Sequence, residues 1–301
     1  MKLTGSCSMI VSINSVKNYF SLVKFSHTVF AMPFAMIGFS LAVSKPEYEF
    51  KFRLLLLVIL CMIFARNTAM GFNRIADRKF DALNPRTSKR EIPSGIISSM
   101  AATIFVIINA VLFIITTAFI NHLTLLLSPV ALFVITAYSL TKRITSLSHL
   151  VLGMGLSLAP IGAYISITGK FSLLPLIYSF IVLTWVSGFD IIYALQDDEF
   201  DRSNKLHSLP SSTGRKKALG ISIFLHSITF VLVLVSGFYG QSGILFWTGA
   251  ILFSILLFYQ HSIVKFDDIS RVTMAFGTTN GIASLLFAIF VILDLVLRFS
   301  V

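Results

Sequence analysis

Apolar residues run in long blocks along this chain, and short polar junctions between them hold almost all of the charge. Nine blocks stand out: 26–43, 54–76, 99–120, 123–141, 147–168, 173–195, 218–240, 243–264 and 272–297. Each is near the ~20 residues that cross ~30 Å of hydrocarbon at 1.5 Å rise per residue. The blocks lack the residue-by-residue alternation of a membrane β-barrel strand. The pattern therefore predicts an all-α membrane protein, with nine transmembrane helices in one bundle around a central cavity and a single domain over residues 1–301. Proline and glycine punctuate the block ends at Pro46, Pro85, Pro93, Gly169, Pro210, Gly214 and Gly240. Pro33, Pro129, Pro160 and Pro175 lie in or near the helices, where membrane bundles tolerate them.

Composition sharpens this picture. The chain is 56% hydrophobic and only 12% charged, against about 25% charge in an average soluble domain. That excludes a soluble enzyme, a disordered chain and a small disulfide-stapled domain. Cys7 and Cys61 form no CxxC or Cys/His cluster, so neither a zinc site nor a disulfide framework is expected. The net charge of +11 could suggest nucleic acid, but no basic stripe lies outside the apolar blocks, and no nucleic-acid partner is expected. The first 24 residues carry Lys2, Lys17 and Lys24 without the core and cleavage site of a signal peptide.

The bases orient the bundle. If the N-terminus is cytoplasmic, eighteen of the 24 Lys and Arg residues fall on the inner side, among them Arg74, Arg78, Lys79, Arg86, Lys89 and Arg90. Positive-inside counting thus predicts a cytoplasmic N-terminus. A bacterial inner membrane is the expected location, since no Arg-rich transit peptide is evident. Eight of the thirteen acids sit in or beside two inner junctions: Asp77, Asp81, Glu91, Asp190, Asp197, Asp198, Glu199 and Asp201. The chemistry is expected on the cytoplasmic side.

The first acidic junction reads GFNRIADRKFDALNPRT, residues 71–87. Asn73, Asp77 and Asp81 are four apart, so on a helix they form one stripe. Asn84–Pro85 ends that helix. Oxygen-only donors suit a hard cation such as Mg²⁺, which keeps waters and bridges to substrate phosphates. The second junction reads DIIYALQDDEFDR, residues 190–202. Asp197 and Asp201 repeat the spacing of four. Asp190 lies two turns earlier on nearly the same face, roughly 10 Å deeper, with Tyr193 between. A single DxxxD in a loop is usually a solvated helix cap, but two on separate helices facing basic loops are not. Arg66 and Asp190 are ionisable groups inside apolar blocks, which makes each a functional candidate.

Other residues read as structural. His27, His122, His149, His226 and His261 show no ligand spacing, and Asp267–Asp268 read as loop charges. The many phenylalanines can line a lipid-open tunnel, though most serve packing.

These motifs resemble a known family. Asn73-Arg74-x-x-Asp77-x-x-x-Asp81, with Arg86-Thr87 and Arg90-Glu91-x-Pro93-Ser94-Gly95, is similar to the first signature of the UbiA superfamily of intramembrane prenyltransferases. Asp190-x-x-Tyr193-x-x-Gln196-Asp197-x-x-x-Asp201 resembles the second. Tyr138-Ser-Leu-Thr-Lys142-Arg143-Ile-Thr145 followed by Leu150-Val151-Leu152-Gly153 is similar to a block of the 4-hydroxybenzoate polyprenyltransferase branch.

The resemblance implies transfer of a polyprenyl group from polyprenyl diphosphate to an aromatic acid acceptor, 4-hydroxybenzoate, in ubiquinone biosynthesis. It implies that Asn73, Asp77, Asp81, Asp197 and Asp201 hold Mg²⁺ on the diphosphate. Arg66 and Lys142 would bind diphosphate, and Arg143, a bidentate fork, the acceptor carboxylate. Asp190 and Tyr193 would be the catalytic pair beside the ring, and the prenyl tail would run between helices open to membrane lipid. His207 departs from the branch, which has Lys before the Ser, and this opens a dihydroxynaphthoate acceptor in menaquinone biosynthesis as the alternative. A transporter with intramembrane carboxylates is a further reading, but transporter sites lie at mid-membrane.

Overall fold

The computed structural model describes residues 13–23 and 30–299. Lys2, Cys7, Lys24, His27 and residues 26–29 of the first expected block lie outside these. Among the described residues the secondary structure is entirely helical. The elements are α1 (Ile13–Leu22), α2 (Met32–Val43), α3 (Phe52–Leu83), α4 (Ser99–Ala118), α5 (His122–Thr141), α6 (Ser148–Thr168) and α7 (Leu173–Ala194). After a 3₁₀ turn at Leu195–Asp197 come α8 (Asp198–Ser203), α9 (Leu209–Thr213), α10 (Arg215–Tyr239) and α11 (Ile244–Ile263). A π-helix at Met274–Thr279 leads into α12 (Asn280–Phe299).

Eight helical segments are long and apolar enough to cross a membrane. The first expected block is represented by α2, whose 12 residues span only about 18 Å. Pro33 sits in its first turn, where a missing N–H costs nothing. Helix α3 outruns its expected block by seven residues, because the polar stripe continues the helix beyond the apolar part until Asn84–Pro85 stops it. Large apolar side chains such as Phe133, Phe224 and Phe238 are exposed around the bundle. Water would penalise that surface, whereas lipid does not. The chain is an integral membrane protein.

Two regions divide the bundle. On one side α7 packs against α6, α10 and α2, and α11 against α12. Phe34, Trp185, Phe253 and Phe287, all fully buried, form its centre. Helices α2 and α6 approach closely. A Cβ on Gly38 would stand 2.0 Å from the Pro160 carbonyl oxygen, so only glycine fits. On the other side α3, α4, α5 and α6 enclose a cavity of about 330 Å³. Its walls are nearly all apolar, including Val58, Met62, Ala65, Phe113, Leu127 and Gly155. The cavity is lined mainly by these four helices. A packed aromatic core occupies the remainder of the bundle.

Candidate active site

The two acidic helix ends meet. Asn84 caps α3 and donates through Nδ2 to Asp197 Oδ1 at 3.0 Å. Two residues later Arg86 grips the same carboxylate with Nε at 3.0 Å on Oδ1 and with Nη2 on Oδ2. Its remaining nitrogen, Nη1, donates to the Tyr193 hydroxyl at 2.9 Å. The α3 loop is thus sewn to the end of α7 by one guanidinium. Burial works against the charge of Arg86, but the bonds and charges of Asp197 and Tyr193 outweigh it and hold its pKa above the ordinary guanidinium value.

Every proposed metal carboxylate carries a basic partner. Arg90 Nη1 reaches Asp81 Oδ1 at 2.7 Å. Lys142 Nζ reaches Asp201 Oδ2 at 2.7 Å. Arg143 Nη2 lies 3.4 Å from Asp77 Oδ1 and donates to the Ala76 carbonyl at 2.6 Å. Asn73 Nδ2 donates to Asp77 Oδ2 at 3.1 Å, as the four-residue stripe predicts. The structure thus brings Asn73, Asp77, Asp81, Asp197, Asp201, Lys142 and Tyr193 to one end of the bundle. Arg143 joins them on the α3 stripe, and its side-chain contacts are with α3. Arg66 stands apart, lining the apolar cavity together with Tyr138.

The donor set fits a hard cation in kind, being carboxylates and one amide. Asp81 Oδ2 is buried without a hydrogen-bond partner, the kind of orphaned oxygen a cation would satisfy. Among the described residues no three of these acids converge on one metal position. Each of these carboxylates is met by an arginine or a lysine.

Asp190 has a different partner. Helix α7 does not continue through to Asp201. The 3₁₀ turn at Leu195–Asp197 winds at three residues per turn, which rotates the later residues by roughly 60° relative to a continuous α-helix. The shared face expected for Asp190 and Asp197 is lost at that point. Asp197 faces the Asn84–Arg86 loop, whereas Asp190 faces α6, where His149 Nδ1 lies 2.6 Å from Asp190 Oδ2. Tyr193 is held by a second aromatic ring, that of Phe276 on the π-helix, at 4.1 Å between centroids. π-Helical turns often mark functional sites.

Some of these residues are not singled out by sequence reasoning. Arg86 and Arg90 are two of several bases in the first junction, and nothing local ranks them above Arg66 and Lys142. Asn84 carries only the signal of a helix stop. His149 reads as structural because its partner is 41 residues away, beyond any spacing rule. Phe276 carries no signal at all. The remaining acids of the second junction hold the fold: Arg215 binds Asp198 with Nε at 2.8 Å and Nη2 at 2.9 Å, and reaches Glu199 at 3.2 Å.

The family model described as the UbiA prenyltransferase family matches residues 31–292. The chain is 27% identical over 237 residues to a 4-hydroxybenzoate octaprenyltransferase of Tolumonas auensis, covering 79% of this chain and 82% of the relative. It is 28% identical over 233 residues to the enzyme of the same name from Aliivibrio fischeri, covering 77% and 81%. Among solved structures it is similar to the apo form of a UbiA homologue from Aeropyrum pernix K1, with TM-score 0.77 and 28% identity over 90% of this chain and 98% of that one. It also shares the fold of a UbiA homologue from Archaeoglobus fulgidus bound to DMAPP and Mg²⁺, with TM-score 0.75 and 22% identity over 92% and 99% of the two chains.

Proposed function

The chain belongs to the UbiA prenyltransferase family, and on that premise we propose that it transfers a polyprenyl group from polyprenyl diphosphate to 4-hydroxybenzoate in ubiquinone biosynthesis. What supports the reading is one juxtaposition. Two acidic helix ends, bridged by Arg86, stand at the end of a bundle whose flank holds an apolar cavity. A diphosphate fits the charged end and an isoprenoid tail the cavity. The names of the relatives from Tolumonas auensis and Aliivibrio fischeri agree with the acceptor.

Asp77, Asp81, Asp197 and Asp201, with Asn73, would hold Mg²⁺, which when bound neutralises diphosphate charge. Arg86, Arg90, Lys142 and Arg143 now neutralise those carboxylates. Once displaced, Arg86, Arg90 and Lys142 are placed to receive the diphosphate oxygens. Arg66 meets the diphosphate from the cavity side. The allylic C–O bond breaks, diphosphate leaves, a ring carbon beside the acceptor hydroxyl forms the new C–C bond, and the proton on that carbon passes to the released diphosphate. Asp190 accepts the acceptor's hydroxyl hydrogen and orients the ring. Tyr193, packed against the tilted ring of Phe276, lines the ring site. Arg143 is the candidate for the acceptor carboxylate once it leaves Asp77. Positive-inside counting supports a cytoplasmic position for this end, and a bacterial inner membrane is the location proposed.

His207 favours a second acceptor, a dihydroxynaphthoate. The residue is exposed and gives the site its backbone N–H, at 2.7 Å from the Lys142 carbonyl. The test is purified protein in nanodiscs with Mg²⁺, octaprenyl diphosphate and equal amounts of 4-hydroxybenzoate, 1,4-dihydroxy-2-naphthoate and 1,4-dihydroxy-6-naphthoate. Prenylated 4-hydroxybenzoate is the expected main product by mass spectrometry, and EDTA should abolish it. A prenylated naphthalene product would move the protein to menaquinone synthesis. Turnover unaffected by EDTA would end the metal assignment.

A further inference from the structure

The Asp190 carboxylate lies at the junction of three elements, and one side chain connects them. His149 is in the first turn of α6 and is almost wholly buried. Its Nε2 lies 3.3 Å from the backbone nitrogen of Leu209, the first residue of α9. A backbone N–H can only donate, so Nε2 carries no proton. The ring is then neutral, with its proton on Nδ1, pointing at Asp190 Oδ2 at 2.6 Å. The tautomer thus follows from the two partners.

The register of this contact is fixed on both sides. One turn along α6, a Cβ on Gly153 would stand 2.3 Å from Ser187 Oγ and 2.5 Å from the Leu183 carbonyl oxygen of α7. Ser187 Oγ also donates to the His149 carbonyl at 3.1 Å. The segment that selects the tautomer is itself tied to the second acidic stripe. The His207 N–H donates to the Lys142 carbonyl at 2.7 Å, and Lys142 Nζ reaches Asp201 at 2.7 Å. Asp190 keeps one oxygen, Oδ1, without a hydrogen bond among the described residues, and its side chain is 20% exposed.

We propose that His149 is a positioning residue for the prenyl transfer: as a neutral Nδ1–H donor it locks Asp190 so that its second carboxylate oxygen is presented to the hydroxyl of the aromatic acceptor. The inference rests on the reading of Asp190 as the acceptor-facing carboxylate. His149 keeps its proton throughout and touches neither substrate. Its loss should therefore lower the rate of ring attack without weakening diphosphate binding. Glutamine can replace it, because one amide both donates to Asp190 and accepts from Leu209.

The experiment compares His149→Phe, His149→Ala, His149→Gln, Asp190→Asn and the His149→Ala/Asp190→Asn pair. Each is assayed with octaprenyl diphosphate and the acceptor that the wild type turns over, and each is melted in detergent. His149→Phe, or His149→Ala where the larger side chain prevents folding, should lose roughly 10–100-fold in kcat, the range for removal of a supporting hydrogen-bond partner. The KM for octaprenyl diphosphate should stay within about twofold of wild type, and His149→Gln should restore most of kcat. The double variant should be no slower than Asp190→Asn alone. Wild-type kcat in both apolar variants, with Asp190→Asn inactive, overturns the proposal and leaves the Asp190 reading intact. The proposal is equally overturned if diphosphate KM rises as far as kcat falls, or if His149→Gln is as slow as His149→Ala. Wild-type activity in Asp190→Asn removes the premise itself.

Discussion

The end of α3 and the end of α7 carry acids at the same four-residue spacing, yet the molecule uses them differently. In the most apolar stretch of α3 only 17% of residues are buried, against 72% in the segment that contains α7. Helix α3 is a wall, with lipid on one side and the cavity on the other, and its stripe runs on one uninterrupted helix to Asn84. Helix α7 is the axis of the packed side. Its acidic end breaks into a 3₁₀ turn and a short helix, which sends Asp190 and Asp197 to different partners. A repeated sequence spacing therefore does not imply a repeated environment. The wall offers ligands along one helix, from half-buried Asp77 to buried Asp81, and the axis offers ligands turned to different neighbours by a break in the helix.

Five substitutions test that contrast. The largest effect is expected from Asp197→Ala. Asp197 accepts from Asn84 and Arg86 together, so its loss removes a ligand and also unties the α3 loop from α7. Turnover should fall by on the order of 10³, the upper range for one electrostatic group. Asp77→Ala on the wall, whose carboxylate is partnered by Asn73 and Arg143, should lose about 10². Equal losses in single-turnover assays would mean that the two ends are equivalent.

Packing gives a second contrast. Gly153→Ala drives a Cβ against a backbone carbonyl of α7 at 2.5 Å, and no rotamer change can relieve that. It should cost about 1–3 kcal/mol, seen as a lower melting temperature in detergent. Gly71→Ala on α3 meets only a side-chain methyl, Val106 Cγ2, at 2.7 Å. Its effect should be well below that of Gly153→Ala, and a Gly71→Ala melting shift as large would show α3 to be as tightly packed as α7.

The smallest effect is selective. Gly155→Phe projects a ring into the apolar cavity, where the nearest side-chain atom to a new Cβ is 3.7 Å away. It should reduce turnover of octaprenyl diphosphate while sparing geranyl diphosphate. Equal loss for both chain lengths would show that the tail does not use this cavity.

Much of this was legible in the chain. The apolar blocks located eight long membrane helices, because burying backbone in hydrocarbon leaves the helix as the way to satisfy each N–H and C=O within its own segment. The spacing of Asn73, Asp77 and Asp81 located the first stripe, since helical periodicity is a local property. The Asn73–Asp77 hydrogen bond follows from it directly. The short first helix was less legible. Hydropathy counts residues, and it does not register Pro33 in the first turn of α2. The role of Arg86 was hidden among other bases, because only the fold places it across from Asp197 and Tyr193.

Sequence alone determined that this chain spans a membrane as helices, which end collects the charge, and which residues could chelate. Those properties depend on composition and on periodicity within a few turns. The tertiary structure decided which cation covers each acid, where the cavity lies, and that His149 faces Asp190 across 41 positions. Such pairings follow from how helices approach one another, as at Gly38 and Gly153, where the missing Cβ sets interaxial distance and register. No local pattern carries that information, because it is fixed by packing between segments that are remote in the chain.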